Sequence, residues 1–224
     1  MRLTDQTWPD TAAARPVVGV PVGSCEQHGP HLPLGTDTVI AEALVGRLAA
    51  LRPSIVIGPT LTVTASGEHA GFAGTLSIGS DVLSSMIVEL VRSADWSGGV
   101  VLVNGHGGNR EAVDRAVAVL RSERRPVLAW WPSLAGGDAH AGRTETSIML
   151  TLRPDLVRQD RAVVGETAPL PQLMGRLRAG GVAVVERSGV LGDPTGATRA
   201  EGETILRRLT DDLVAAFDRW NAGR

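Results

Sequence analysis

A carboxylate, an imidazole and a second carboxylate lie within twelve residues of one another in the segment EQHGPHLPLGTD. The three residues are Glu26, His28 and Asp37. Glu26 and His28 are two positions apart, so both side chains project to the same side of an extended chain. Carboxylates and imidazoles are ligands for hard to borderline divalent metals, and this pattern predicts a metal site. The alternative is a solvated loop in which Asp37 caps the helix that follows.

A second candidate is the histidine in the glycine-rich segment VNGHGGN, residues 103–109. Glycines allow the backbone to approach a bound ligand closely. His106 can therefore be a further metal ligand, or the same glycines can cradle a phosphate at the start of a helix. The segment matches neither the dinucleotide-binding motif nor the P-loop, and no lysine follows it.

A third candidate group is the segment DAHAGRTETS, residues 138–147. His140 lies in a glycine-rich loop, and Glu145 falls in the first turn of the predicted helix after it. Glu145 can complement the helix dipole there, or it can join the other carboxylates at a metal site. Two less specific candidates are His69, in the segment GEHAGFAGT, and Trp131, which can form an apolar pocket wall.

These residues need elements that hold them, and the chain predicts strands alternating with helices. Helices are predicted over residues 37–51, 81–96, 109–124, 144–152 and 198–220. Strands are predicted over residues 16–25, 54–63, 99–103, 126–131 and, as a short one, 182–185. This alternation is typical of a parallel sheet covered by helices on both faces, so the predicted fold class is α/β. Sites in such folds lie on loops at the carboxyl ends of strands, where the candidate residues fall.

Composition narrows the function classes further. The chain has 224 residues, 43% hydrophobic and 21% charged, which suits a single domain over residues 1–224. A formal net charge of −2 argues against a nucleic-acid partner. No apolar run has the roughly 18 residues of a membrane helix. Residues 1–16 lack the apolar region of a secretory signal, so we expect a cytoplasmic protein without a membrane partner.

The reactive groups available are also limited. All 22 basic residues are arginine, and the absence of lysine excludes Schiff-base and P-loop lysine chemistry. The chain also has no tyrosine. A single cysteine excludes an internal disulfide framework. A serine or cysteine hydrolase that uses Ser24 or Cys25 stays open as an alternative, although neither residue lies in a nucleophile-elbow motif.

Four segments in this order, GSCEQHGPHLPLGTD, GEHAGFAGT, NGHGGN and HAGRTETS, resemble the creatininase (creatinine amidohydrolase) family. The resemblance runs from about residue 17 to about residue 158. The short chain and its compact carboxyl-terminal end look most like the peptidase branch of the family that acts in mycofactocin biosynthesis. The resemblance implies a three-layer α/β/α sandwich with a mostly parallel central sheet.

The resemblance also implies a site. It would hold two divalent ions (zinc, iron or manganese), with Asp37 bridging them. Creatininase itself has a glutamate ligand where this chain has Gly108, so Glu145 is the natural substitute, as in other members with two glycines after the histidine. The implied metal ligands are Glu26, His28, Asp37, His106 and Glu145. The implied proton-transfer residue is His140, and the implied substrate-binding residues are His69, Gly74, Thr75 and Trp131.

The activity that the resemblance implies is metal-dependent hydrolysis of a C–N amide bond. In the most similar branch, the substrate is a modified precursor peptide cleaved near its carboxyl terminus. A small amide, such as a creatinine-like cyclic amide or a formamide, is the alternative substrate. The family also implies a homo-oligomer, a hexamer or a related ring. A non-catalytic α/β protein that binds its ligand with the same loops remains the alternative from another class.

Overall fold

Four parallel strands form one sheet in the order β2-β1-β3-β4. The structure is a computed structural model that describes all 224 residues. The strands are β1 (Val17–Val22), β2 (Ile55–Ile57), β3 (Gly99–Asn104) and β4 (Val127–Trp130). They are rich in valine and isoleucine, and β-branched side chains pack well on a pleated surface. Each consecutive pair of strands is joined through a helix, as parallel pairing requires.

Eight helices accompany the sheet: α1 (Trp8–Ala14), α2 (Thr36–Leu51), α3 (Ser80–Ser93), α4 (Arg110–Ser122), α5 (Arg143–Leu152), α6 (Leu170–Gly180), α7 (Val182–Val185) and α8 (Arg199–Ala222). Five of them form the two outer layers. Helices α2, α5 and α8 contribute to the apolar core on one face of the sheet, and α3 and α4 to the core on the other. None of the helices has both the length and the apolar character that crossing a bilayer requires.

Alternation along the strands fills both cores. Val100 and Leu102 of β3 belong to the core with α3 and α4, whereas Val101 and Val103 belong to the core with α2, α5 and α8. All six residues of β3 are buried, as expected for a parallel strand covered on both faces. The predicted three-layer α/β/α sandwich with its parallel central sheet is therefore confirmed.

The predicted strand over residues 182–185 is wrong, because these residues form the short helix α7. Val182 and Val185 pack with Leu173 and Leu191 in a small apolar cluster separate from the two sheet cores. With no neighbouring strand available, the backbone closes its own hydrogen bond, from the N–H of Glu186 to the carbonyl of Val182 at 2.8 Å. Packing outweighs the β-preference of this valine-rich segment.

The predicted strand over residues 54–63 is shorter than expected. Only Ile55–Ile57 pairs as a strand with β1. Beyond it, Leu61 makes an isolated bridge to Val22, and its N–H donates to the carbonyl of Pro21 at 2.9 Å. A proline at position 59 cannot donate a hydrogen bond to the neighbouring strand, so regular pairing ends there. The helices α1 and α6 were not predicted.

Candidate metal centre

Seven ionisable side chains meet at the carboxyl edge of the sheet. They come from the loop after β1, the first turn of α2, the turn at residues 67–69, the loop after β3, and the segment that enters α5. Six of the seven belong to buried residues, and Glu145 is partly exposed. The group, called here the edge cluster, consists of Glu26, His28, Asp37, His69, His106, His140 and Glu145.

Asp37 lies at the centre of the edge cluster. The Oδ1 atom of Asp37 is 3.2 Å from Nε2 of His28, and its Oδ2 atom is 3.3 Å from Nδ1 of His106. Two sets of candidate ligand atoms, each within 4.8 Å of one another, share this residue. One set is Glu26, Asp37 and His106, and the other is His28, Asp37 and Glu145. Each oxygen of Asp37 therefore faces a different set, as in a bridging carboxylate.

The local structure explains why Asp37 is free to do this. Helix α2 begins at Thr36 with Gly35 as its N-cap, and no side chain caps it. The alternative interpretation, in which Asp37 caps this helix, is therefore wrong. Asp37 sits inside the first turn, where its carboxylate receives a hydrogen bond from the Ser24 hydroxyl at 2.8 Å. Negative charge is favourable at this end of a helix.

Glu26 has no exposed surface, and neither of its carboxylate oxygens has a hydrogen-bond partner. The nearest groups are Nε2 of His106 at 3.1 Å and Nε2 of His69 at 3.4 Å, and neither is aligned for a hydrogen bond. A buried carboxylate without partners is costly unless a positive charge compensates it. The residues present therefore fit a divalent cation beside Glu26.

Glu145 is held at the edge cluster by backbone geometry. The N–H of Ala141 donates to Oε2 of Glu145 at 2.6 Å, and Ala141 adopts a left-handed backbone with φ of 52°. The carboxylate of Asp138 accepts hydrogen bonds from the N–H groups of Arg143 and Thr144. These two bonds fix the first turn of α5, which carries Glu145. Partial burial, together with the negative charges of Asp37 and Glu26, raises the pKa of Glu145 to about 7.

Two histidines of the edge cluster have raised pKa values. Burial alone would lower the pKa of His28, but Asp37 and the neighbouring glutamates outweigh it and raise the value to about 9. Likewise, the pKa of His106 rises well above its usual value, because Glu26 and Asp37 more than offset its burial. Both imidazoles are held where they can neutralise the carboxylates, as a cation would.

His140 is the exception among these histidines. Burial, together with the nearby His28 and His69, lowers its pKa well below the usual value, so the ring is neutral. Its centroid is 4.4 Å from the His28 ring and 4.5 Å from the His69 ring. Its Nδ1 atom lies 3.8 Å from Oε1 of Glu26. The neutral imidazole can accept a proton, although its lowered pKa makes it a weaker base than an ordinary histidine.

The predicted substrate-binding residues divide into two groups. His69 belongs to the edge cluster itself. Thr75 borders it, since its hydroxyl accepts a hydrogen bond from the N–H of Gln27 at 3.2 Å, and the carbonyl of Gly74 lies 3.6 Å from the sulfur of Cys25. Trp131 is not part of the edge cluster. Its ring packs under the guanidinium of Arg110, 4.5 Å from the centroid, at the end of β4.

Two asparagines fix the loop that carries His106. Neither was predicted from the sequence as part of the site. The buried side chain of Asn109 accepts from the N–H of Ala65 at 3.0 Å and donates to the carbonyl of Gly23 at 3.0 Å. It also donates to Asn104, which in turn donates to the carbonyl of His106. Three loops are thus tied together behind the edge cluster. Their position in the segment NGHGGN was the available signal.

The similarity of this chain to known proteins shows its family. A family profile described as creatinine amidohydrolase matches residues 4–217. The chain belongs to the creatininase family. Members of this family are metal-dependent amidohydrolases, so the edge cluster lies in a hydrolase fold.

Relatives within the creatininase family differ in their similarity to this chain. The mycofactocin precursor peptide peptidase of Mycolicibacterium smegmatis is 51% identical over 216 residues, which cover 93% of this chain and 87% of the relative. The creatinine amidohydrolase of Pseudomonas putida is 30% identical over 246 residues, 94% of each chain. A solved mutant creatininase has a TM-score of 0.84 at 25% identity, covering 98% of both chains. Other solved creatininases are described as a Zn–Zn type and as an Mn form.

One difference from the creatininase pattern has a physical explanation in this chain. Where creatininase has a glutamate two residues after the corresponding histidine, this chain has Gly108. A Cβ at position 108 would collide with the carboxylate of Glu68. The Oε1 atom of Glu68 lies 3.4 Å from Nε2 of His106. A different carboxylate therefore occupies the space in front of Gly108. Glu68 was not predicted from the sequence, although it is adjacent to His69.

Proposed function

We propose that this protein is a metal-dependent peptidase that cleaves a modified precursor peptide near its carboxyl terminus, in mycofactocin biosynthesis. Metal-dependent hydrolysis is supported by one observation: two sets of candidate ligands share Asp37, and the carboxylate of Glu26 beside them has no hydrogen-bond partner. The substrate part is supported by the higher identity to the precursor peptide peptidase, 51%, than to the creatinine amidohydrolase, 30%.

The proposed site holds two divalent ions of the zinc, manganese or iron type. Glu26, Asp37 and His106 would hold one ion, and His28, Asp37 and Glu145 the other. Imidazole and carboxylate ligands without thiolate suit these metals. Two such ions supply a nucleophile at neutral pH and polarise the scissile carbonyl.

His140 is the proposed proton-transfer residue. Its Nε2 atom lies 2.8 Å from the backbone carbonyl of Gln27, which can only accept, so the proton is on Nε2. Its Nδ1 lone pair then faces Glu26. A neutral His140 can take a proton at Nδ1 from the attacking water and return it to the leaving nitrogen.

The decisive experiment incubates the purified protein with the modified precursor peptide and identifies products by mass spectrometry. We expect one cleavage near the carboxyl terminus, loss of cleavage with a chelator, and recovery on adding zinc or manganese. Creatinine and a formamide, tested in parallel, distinguish the small-amide alternative. Cleavage that survives the chelator but not a thiol reagent would instead indicate a hydrolase that uses Cys25.

Replacing Glu145 by glutamine is expected to weaken the binding of one ion. The carboxylate contributes negative charge to the set with His28 and Asp37, and Gly108 cannot replace it. Metal analysis should show about one ion lost per chain, with the other retained. Full occupancy and an unchanged rate would mean that Glu145 serves only the first turn of α5.

Metal binding is expected to strengthen as pH rises. His28, with a pKa of about 9, carries a proton at neutral pH in the metal-free protein and must lose it to become a ligand. The apparent affinity should therefore rise at least about tenfold per pH unit up to about pH 9. Below about pH 7, Glu145 adds a second proton to the release. Calorimetry in buffers of different ionisation enthalpy counts the protons, and an affinity independent of pH would contradict this.

We also propose that the protein is a homo-oligomer, a hexamer or a related ring. Large apolar side chains remain exposed on the single chain, and Trp8, which is 83% exposed, lines one surface cleft together with Leu3 and Trp96. Exposed apolar surface of this kind often marks contacts between subunits. Light scattering at micromolar concentration should give a mass several times that of one chain, and a monomer would contradict the proposal.

A further inference from the structure

Gln27 lies between two proposed metal ligands in the sequence, but its side-chain amide contacts His69 and His140 and not those two ligands. Its side chain is 5% exposed, and every polar atom of the amide has a partner. Oε1 accepts from the N–H of Gly29 at 2.8 Å. This contact fixes which end of the amide is oxygen, because a backbone N–H needs an acceptor.

The amide nitrogen has two hydrogens and three potential acceptors nearby. These are Nδ1 of His69 at 2.9 Å, the carbonyl of Gly189 at 3.1 Å and Nε2 of His140 at 3.1 Å. Nε2 of His140 cannot accept, because its own proton is donated to the backbone carbonyl of Gln27. The two amide hydrogens therefore go to His69 and Gly189.

These hydrogen bonds determine the tautomers of His69 and His140. His69 accepts at Nδ1, so as a neutral ring it carries its proton on Nε2, which is 3.4 Å from Oε1 of Glu26. His140 carries its proton on Nε2, so its Nδ1 lone pair faces the same oxygen at 3.8 Å. The nitrogen that faces Oε1 of Glu26 thus carries a proton in His69 and a lone pair in His140, without a hydrogen bond to Glu26 in either case.

The loop at Gly189 is built around the same amide. A Cβ at Gly189 would collide with Oε1 of Gln27, and the residue has φ of 81°, which favours glycine. The contact joins positions 162 residues apart in the chain. A residue larger than glycine at this position would therefore displace the amide of Gln27.

We propose that Gln27 is a positioning residue that sets the opposite tautomers of His69 and His140. Its side-chain amide fixes His69 as a donor, and its main-chain carbonyl fixes His140 as an acceptor. Residues that orient the side chains of a metal site by hydrogen bonds commonly contribute about 10–100-fold to its affinity or activity. The assignment of tautomers stands on the hydrogen bonds alone, whereas its effect on rate rests on the proposed function.

The test is the Gln27→Glu variant, in which a carboxylate of nearly the same shape cannot donate to His69. The zinc-loaded protein is labelled with ¹⁵N only at its five histidines, and solid-state NMR reads the tautomer of each ring. The His69 signals are assigned by their loss in His69→Asn. We expect the proton of His69 on Nε2 in the parent protein and on Nδ1 in Gln27→Glu, with unchanged zinc content.

Kinetics on the precursor peptide form the second arm. We expect kcat/KM to fall by about 10–100-fold in Gln27→Glu. The Gln27→Glu/His69→Asn double variant should be no slower than His69→Asn alone, because Gln27 acts through His69. The control is Gln172→Glu, an exposed glutamine of α6 changed in the same way.

A parent protein with the His69 proton on Nδ1, or a His69 tautomer unchanged in Gln27→Glu, would overturn the proposal. If Gln27→Glu fails to fold, Gln27→Met replaces it, since it also removes the donor, and His69 should then populate both tautomers. A parent protein that does not cleave the peptide would contradict the proposed function, while the NMR arm still decides the role of Gln27.

Discussion

Replacing Asp37 by asparagine is expected to remove both metal ions and to abolish peptide hydrolysis. The asparagine keeps the shape and can still accept from Ser24, so the fold should survive. It lacks the negative charge that the two ligand sets share. The loss of metal affinity should exceed the roughly 100-fold upper limit for removing a group that only supports a ligand. Metal analysis and circular dichroism of the purified variant measure the two effects.

The control is Asp114→Asn, which makes the same change on the exposed face of α4. Alanine variants of Glu26, His28 and His106 should also lose metal and activity while remaining folded, although each belongs to only one of the two sets that share Asp37. Normal metal content in all of these variants and in Asp37→Asn would contradict the ligand assignment.

Replacing His140 by alanine is expected to slow hydrolysis by about 10²–10⁴-fold while both ions remain bound. The loss should fall mainly on kcat, because proton transfer stabilises the transition state and not the bound substrate. The geometry supports this, since the neutral ring presents its Nδ1 lone pair toward Glu26. Rates and metal content are measured on the same preparation.

Metal content distinguishes the possible roles of His140. A missing ion would make His140 a ligand, which its proximity to Glu26 and His28 also allows. Full occupancy with an unchanged rate would assign the proton transfer to another group. A surface histidine is not available as a control, because all five histidines of the chain are buried. The comparison therefore depends on measuring rate and occupancy together.

The fold and the edge cluster could be predicted from the sequence because they depend on local patterns. Each buried strand and the polar loop after it are contiguous, and parallel strands bring their carboxyl ends to one edge. Glu26 and His106 both follow strands of this sheet, so their placement at the same edge was predictable, whereas the direct pairing of β1 with β3 was not. The family resemblance then indicated the role of Asp37 within the first turn of α2.

The roles of Gln27 and Glu68 could not be predicted in this way. Each depends on a contact between loops that are distant in sequence, such as the one between Gln27 and Gly189. No local pattern specifies such a contact. The helix over residues 182–185 was missed for a related reason, because its valines pack on Leu173 and Leu191 instead of a neighbouring strand.

The wide spacing of the edge cluster along the chain also has a consequence for folding kinetics. Its members extend from Glu26 to Glu145, and they meet only after β1 and β3 have paired and α5 has docked. We expect contacts between segments so distant in sequence to form late in folding, and an ion to bind tightly only when most of the native structure exists. Bound metal should then leave the refolding rate almost unchanged and slow unfolding, because it stabilises contacts absent from the transition state. Resistance to proteolysis would in that case depend on the supply of metal in the cell.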